Sequence, residues 1–143
     1  MKVSTIITGK HVETISTNAS IVDLVDSLNS HHIGALAVSN DGKKIEGIVS
    51  ERDVVRAMSD KISQLAEMHV RDIMTVEVHT CTPDSTVSEL MTMMTQLRIR
   101  HVPVVDATGA LISIVSIGDV VKHHVSELDS ERQALRDYVA TAN

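Results

Sequence analysis

Aromatic rings are almost missing from this chain. Tyr138 is the single aromatic residue, and there is no Trp and no Phe. A single-stranded nucleic acid would find nothing to stack on, which argues against that class of partner. Any flat ring bound here must lie between aliphatic side chains. Cysteine is equally scarce: Cys81 stands alone, so no internal disulfide can form. That fits a reducing, cytoplasmic setting. The formal charge of −6 argues against broad binding to nucleic acid or to an anionic membrane, while leaving room for a local basic pocket. No apolar run approaches the roughly 18–20 residues of a membrane span. The start, Met1-Lys2-Val3-Ser4-Thr5, lacks the long apolar stretch of a signal peptide.

At 43% hydrophobic and 22% charged residues the composition is that of a soluble globular protein. Its 143 residues suffice for one ordinary domain, or for two very small ones that share a core. A repeat decides between these. Ser50-Glu51-Arg52-Asp53 returns as Ser116-Ile117-Gly118-Asp119, 66 residues later. Each copy follows an apolar pair, Ile48-Val49 or Ile114-Val115. Each precedes Val-Val and a basic residue, Val54-Val55-Arg56 or Val120-Val121-Lys122. The chain is a tandem repeat, and the repeated motif is where a ligand is expected.

The copies align further. Ser20 and Thr86 each stand three residues before an acid, Asp23 or Glu89, the pattern of a capping box. Ile21, Leu24, Val25 and Leu28, and likewise Val87, Leu90, Met91 and Met94, fall at i, i+3, i+4 and i+7 and predict one apolar helical stripe each. Strands are expected at Leu36-Ala37-Val38 and at Val102 to Val105. Turns follow at Asn40-Asp41-Gly42 and Asp106 to Gly109, then strands from Ile45 to Val49 and from Leu111 to Val115. Short helices start at Glu51 and Ile117. A β-like stretch precedes each first helix, Val12 to Ile15 or Val76 to Thr80, with lead-in segments Ile6-Ile7 and Ile73-Met74. Each repeat reads β-α-β-β-α. The domains expected are 1–60 and 70–125, joined by a polar linker 61–69 and followed by a C-terminal helical tail 126–143. Two units of this size are marginal alone, so the expected architecture is an α/β pair packed through its sheets with pseudo-two-fold symmetry.

The pattern Gly-apolar-apolar-Ser/Thr-x-x-Asp closing a β-α-β-β-α unit, used in tandem, resembles the cystathionine β-synthase (CBS) domain pair. Its carriers are Gly47-Ile48-Val49-Ser50-Glu51-Arg52-Asp53 and Ile114-Val115-Ser116-Ile117-Gly118-Asp119. Arg98-Ile99-Arg100-His101-Val102-Pro103-Val104-Val105 adds the segment common in the second domain, and Ile33-Gly34-Ala35-Leu36 its counterpart in the first. The second copy departs at Ser113, where the family has glycine. The resemblance covers residues 3 to 125, as in stand-alone bacterial signal-transduction proteins. It implies an adenosine-containing ligand such as AMP, ADP, ATP, NAD or S-adenosylmethionine, bound in clefts between the domains. It also implies a homodimer and a regulatory role rather than catalysis, exercised on another protein.

On this reading Asp53 and Asp119 hold ribose hydroxyls, and Ser50 and Ser116 meet ribose or phosphate beside free N–H groups at a helix start. Arg98, Arg100 and His101 supply positive charge in the second half, and Arg52 and Arg56, four apart on one helix face, supply it in the first. Ile7, Ile73 and Val78 are expected against the adenine, and Pro103 belongs to the same site. A lone Ser-x-x-Asp is also a capping box that needs no ligand; two copies in register favour a nucleotide. The adjacent pairs His31-His32 and His123-His124 diverge by about 100° on a helix, so no metal site is expected. Cys81 lacks a thiol partner, and no P-loop or nucleophile elbow occurs. The rival expectation is a ligand-free interaction or dimerisation module that uses residues 126–139.

Overall fold

The computed structural model describes residues 1–9 and 11–142. The first repeat holds strands β1 (Thr14–Ile15), β2 (Ala35–Val38) and β3 (Gly47–Ser50). β1 runs parallel to β2, and β2 antiparallel to β3. Helix α2 (Ile21–His31) joins β1 to β2, and α3 (Glu51–Lys61) follows β3. The second repeat reproduces this with α5 (Val87–Leu97), the antiparallel strands β4 (His101–Val105) and β5 (Leu111–Ser116), and α6 (Ile117–Thr141). Two short helices, α1 (Val3–Ile7) and α4 (Val70–Ile73), precede the repeats.

Helix starts obey the sequence signals. Thr86 and Glu89 form a reciprocal capping box on α5, while Ser20 caps α2 through its side chain alone. The predicted stripes are the buried faces: Ile21, Leu24 and Leu28 on α2, Val87, Leu90 and Met94 on α5. The β2–β3 and β4–β5 turns close on a carboxylate each. Asp41 accepts from the Lys43 and Lys44 N–H groups, both at 2.8 Å, and Asp106 from those of Thr108 and Ala110. The Lys44 and Lys43 N–H groups hold the Asp41 carboxyl below the ordinary value of 3.8; the Thr108 hydroxyl, donating to Asp106 at 2.6 Å, and then the Ala110 N–H do the same for Asp106.

Three local expectations are corrected. The stretch 76–80 forms no strand; Cys81 makes a single parallel bridge to Val104 in the place where β1 pairs with β2. Thr75 pairs instead with Ile48 of the first repeat, in two reciprocal 2.9 Å bonds. The segment expected as a polar linker contains a 3-10 helix, Ile62–Glu67, because Leu65 and Met68 find the first core. The short helix at Ile117 and the separate tail helix are one helix of 25 residues. No glycine or proline interrupts it after Gly118.

The lead-in helices are exchanged between the repeats. Val3, at the start of the chain, is fully buried among Leu90, Met94, Val102 and Val115 of the second repeat. Val70, which leads into the second repeat, is fully buried among Leu24, Leu36 and Val49 of the first. Each core is thus completed by the other repeat's leader. On the opposite sheet faces β2 is buried along its whole length, while β3 and β5 alternate between buried and half-buried positions. Ala35, Ala37 and Pro103 lie outside both clusters yet are buried.

Candidate functional site

Two concave sites lie at the boundary between the repeats, related by the 66-residue offset. The first is a cavity of about 610 Å³, within the about 300–1,000 Å³ of small-molecule sites. β3 and the start of α3 supply Ile48, Ser50, Arg52, Asp53, Val55 and Arg56. The chain after α4 supplies Thr75 and Glu77 to His79, and the approach to β4 supplies Arg98 to His101. The second, about 700 Å³, takes the equivalents: Ile114 and Ser116 to Asp119, His11 and Glu13, and His31 to Ala35. Gly34, Ala35, Glu51, Arg100 and His101 line both.

Glycine is needed at one point of this frame. A Cβ on Gly47 would stand 2.7 Å from the Thr75 carbonyl oxygen and 2.9 Å from Met74 Sδ. The bare backbone therefore lets the chain run along β3 and become a wall of the first site.

Both Ser-x-x-Asp motifs form complete capping boxes. Ser50 N–H and Oγ–H donate to Asp53 Oδ2 at 2.8 and 3.2 Å, and Asp53 N–H donates back to Ser50 Oγ. Ser116 N–H and Oγ–H donate to Asp119 Oδ2, both at 2.9 Å, with the return bond at 3.2 Å. Glu51 N–H donates to the Gly34 carbonyl, and Ile117 N–H to that of Arg100. The helix starts therefore spend their N–H groups internally. At α3 only the Arg52 N–H is left outside these bonds, so the expectation of several free N–H groups facing a phosphate is corrected.

The positive charge is on side chains instead. Arg52, Arg56, Arg98 and Arg100 all line the first site, against Glu51, Asp53 and Glu77. Among the described residues none of these four guanidinium groups has an ion-pair partner. Arg98 is held in the left-handed region, φ 54°, as the C-cap of α5. Its counterpart His32 has φ 53° at the end of α2 and lines the second site. Non-glycine residues there cost about 1 kcal/mol. Two symmetry-related positions thus bear strain with side chains directed to the sites.

The second site is chemically different. Its described residues include Arg100 alone against Glu13, Glu51 and Asp119, with His11, His31, His32 and His101. Glu13 Oε1 lies 3.3 Å from His11 Nε2 and 3.5 Å from His31 Nε2. His31 Nδ1 also lies 2.8 Å from the Ser27 carbonyl in the last turn of α2. Burial lowers the His101 pKa below its ordinary 6.5. Arg100 adds to this, while Glu51 and Asp119 oppose it. Among the described residues no group of three or more His, Cys, Asp or Glu could hold a metal ion. Cys81 is buried, which pushes its thiol up to about 11, so it is not an activated nucleophile.

The sequence profile of the CBS domain matches residues 3–60 and again residues 70–126. The chain belongs to the CBS-domain family. The CBS domain-containing protein CBSX3 of Arabidopsis thaliana, a mitochondrial protein, is 39% identical over 128 residues, 87% of this chain. That match spans 62% of the relative's own length. The crystal structure of the CBS-domain containing protein ATU1752 from Agrobacterium tumefaciens superposes with a TM-score of 0.81 at 38% identity. It covers 87% of this chain and 99% of that one. The CBS domain pair of protein MJ0100, solved in complex with 5′-methylthioadenosine and S-adenosyl-L-methionine, gives a TM-score of 0.79 at 26% identity. It covers 89% and 98%.

In this CBS pair the sequence-derived residues sort by site. Ser50, Arg52, Asp53, Arg56, Val78, Arg98, Arg100 and His101 meet in the first. Ser116 and Asp119 line the second, together with Arg100 and His101. Two residues fall outside both. Ile73, at the end of α4, packs half-buried against the first core, and Pro103 is fully buried; neither lines either cavity. Ile7 packs on the second core. Residues that sequence reasoning missed are Thr75, Glu77 and His79 in the first site, and His11, Glu13, His31 and His32 in the second. The offset was the available signal. It carries Arg98 onto His32, and Glu77 and His79 onto His11 and Glu13.

Proposed function

We propose that this CBS pair is a regulatory sensor that binds a phosphate-bearing adenosine compound, of the AMP, ADP, ATP or NAD class, in the arginine-lined first site. One observation carries the reading: four guanidinium groups without ion-pair partners among the described residues line one cavity beside Asp53. Guanidinium forks suit phosphate. Asp53 commits Oδ2 to its capping box and has Oδ1 for a ribose hydroxyl. Adenine lies between Ile48, Val78 and Ile99, the aliphatic part of the lining. The MJ0100 pair, solved with adenosine-containing ligands, supports the class.

The protein acts as a homodimer and without catalysis of its own. Ligand favours one arrangement of the two repeats over another, and a target protein reads the difference. Calorimetric titration with AMP, ATP, NAD and S-adenosylmethionine tests the reading. Saturable binding that rises with phosphate charge and is weakened several-fold in Arg98→Ala and Arg52→Ala supports it. No binding by folded, ligand-free protein refutes it.

A further inference from the structure

Helix α6 continues far past the domain it closes. Its first turns pack inward through Val120, His123 and Glu127; every described residue after Glu127 is exposed. At 1.5 Å per residue the helix is about 37 Å long, and more than half of it, from Leu128 on, is exposed. A free segment of that length is marginally helical in water, so its helix needs a surface to lie on.

The exposed part carries a regular apolar seam. Val121, Val125, Leu128, Leu135 and Val139 follow the 4-3-4-3-4 spacing of heptad d and a positions, with Arg132 at the one remaining core position. Val121 is 55% exposed, Leu128 52% and Leu135 64%. On a helical projection the seam is about 100° away from the Val120 side that meets the body, so the two faces do not compete.

We propose that this seam is a parallel, in-register two-stranded coiled coil with a second copy of the chain. The flanking charges select both the partner and its direction. In the parallel arrangement a g residue faces the e residue of the next heptad. Glu131 then meets the partner's Arg136, and His124 meets the partner's Asp129, each pair occurring twice by symmetry. The antiparallel arrangement matches e with e and g with g. It sets Glu131 against the partner's Glu131, Asp129 against the partner's Asp129, and Lys122 against the partner's Arg136. Every such charged pair repels. A single charged residue in the core, Arg132, is a device that fixes register at a cost in stability. The proposal rests on the homodimer reading above and names its surface.

Sedimentation equilibrium of the full chain is the test. The unmodified chain is expected to be a dimer, and Leu128→Glu with Leu135→Glu a monomer whose body still unfolds cooperatively. Glu131→Arg and Arg136→Glu alone are each expected to weaken the dimer roughly tenfold, and the two together to restore it. In an antiparallel coil Arg136→Glu would strengthen the dimer instead, which overturns the direction. With Cys81→Ser, Val139→Cys is expected to oxidise to a covalent dimer; failure to do so overturns the register. A dimer that survives both leucine substitutions overturns the seam and leaves the homodimer standing. A monomeric unmodified chain overturns both.

Discussion

The imidazole of His101 stands against Gly34: a methyl group on that glycine would lie 3.5 Å from His101 Cε1 and 3.4 Å from Glu51 Oε1. The contact crosses from one repeat to the other, and all three residues line both sites. It is therefore the shared wall through which the two sites meet.

This wall predicts a pH dependence. The His101 pKa is lowered in the folded state, chiefly by burial. As pH falls below the ordinary 6.5, the unfolded chain takes up a proton that the native state resists. Stability is then complete above that value and declines on acidification. Asp41 and Asp106, also shifted down, begin to lose their contribution only near and below 3.8. Urea unfolding at pH 7 and about a unit below 6.5 reads the effect. His101→Gln is expected to shrink the difference between the two curves, and an unchanged difference removes His101 as the cause.

Arg98 predicts a trade between stability and binding. Its φ of 54° strains any residue but glycine. Arg98→Gly is expected to stabilise the fold by about 1 kcal/mol. The same change removes one guanidinium from the first site and is expected to weaken binding of a phosphate-bearing ligand several-fold. Thermal unfolding and calorimetry on one preparation check both. A variant that binds as before places Arg98 outside the ligand's reach.

Equivalent positions in the two repeats predict opposite outcomes. Gly47 cannot take a side chain without meeting the Thr75 carbonyl, so Gly47→Ala is expected to cost about 1–3 kcal/mol. Its counterpart Ser113 is buried and its Oγ has no hydrogen-bond partner among the described residues. Ser113→Ala removes an unsatisfied polar group and is expected to stabilise by about 1 kcal/mol. Denaturant midpoints of the two variants should move in opposite directions.

The exchanged leaders predict that neither repeat folds alone. Val70→Ala is expected to cost about 2 kcal/mol, because it opens a void in the first core, not in the second. Hydrogen exchange should show the lost protection in β2 and β3. A fragment of residues 1–60 lacks Val70 and is expected to stay unfolded.

Much of the fold was legible because it is written in local patterns. The stripes on α2 and α5, the turns at Asp41 and Asp106, and the helix starts at Ser50 and Ser116 all rest on contacts within a few residues. The 66-residue offset brought most site residues into view, since Ser50, Asp53 and Arg98 to His101 sit on repeated motifs. Thr75, Glu77 and His79 were missed because they belong to no regular element, and their position depends on the missing side chain of Gly47. Ile73 and Pro103 line neither cavity, because an apolar residue beside a motif looks the same whether it faces a site or a core.

The sequence by itself determined the repeat, the alternation of helix and strand, and the chemical types available to a ligand: carboxylates, arginines and histidines, with one Tyr and no Phe or Trp. Periodicity and capping are short-range, and they survive without knowledge of the rest of the chain. Only the tertiary structure decided which repeat each leader completes, which carboxylate oxygens the capping boxes consume, and how the charges divide. Arginines gather in one site and histidines in the other because strand order and a 66-residue offset set segments far apart in sequence side by side. That pairing is a property of the assembled sheets, which no local pattern encodes.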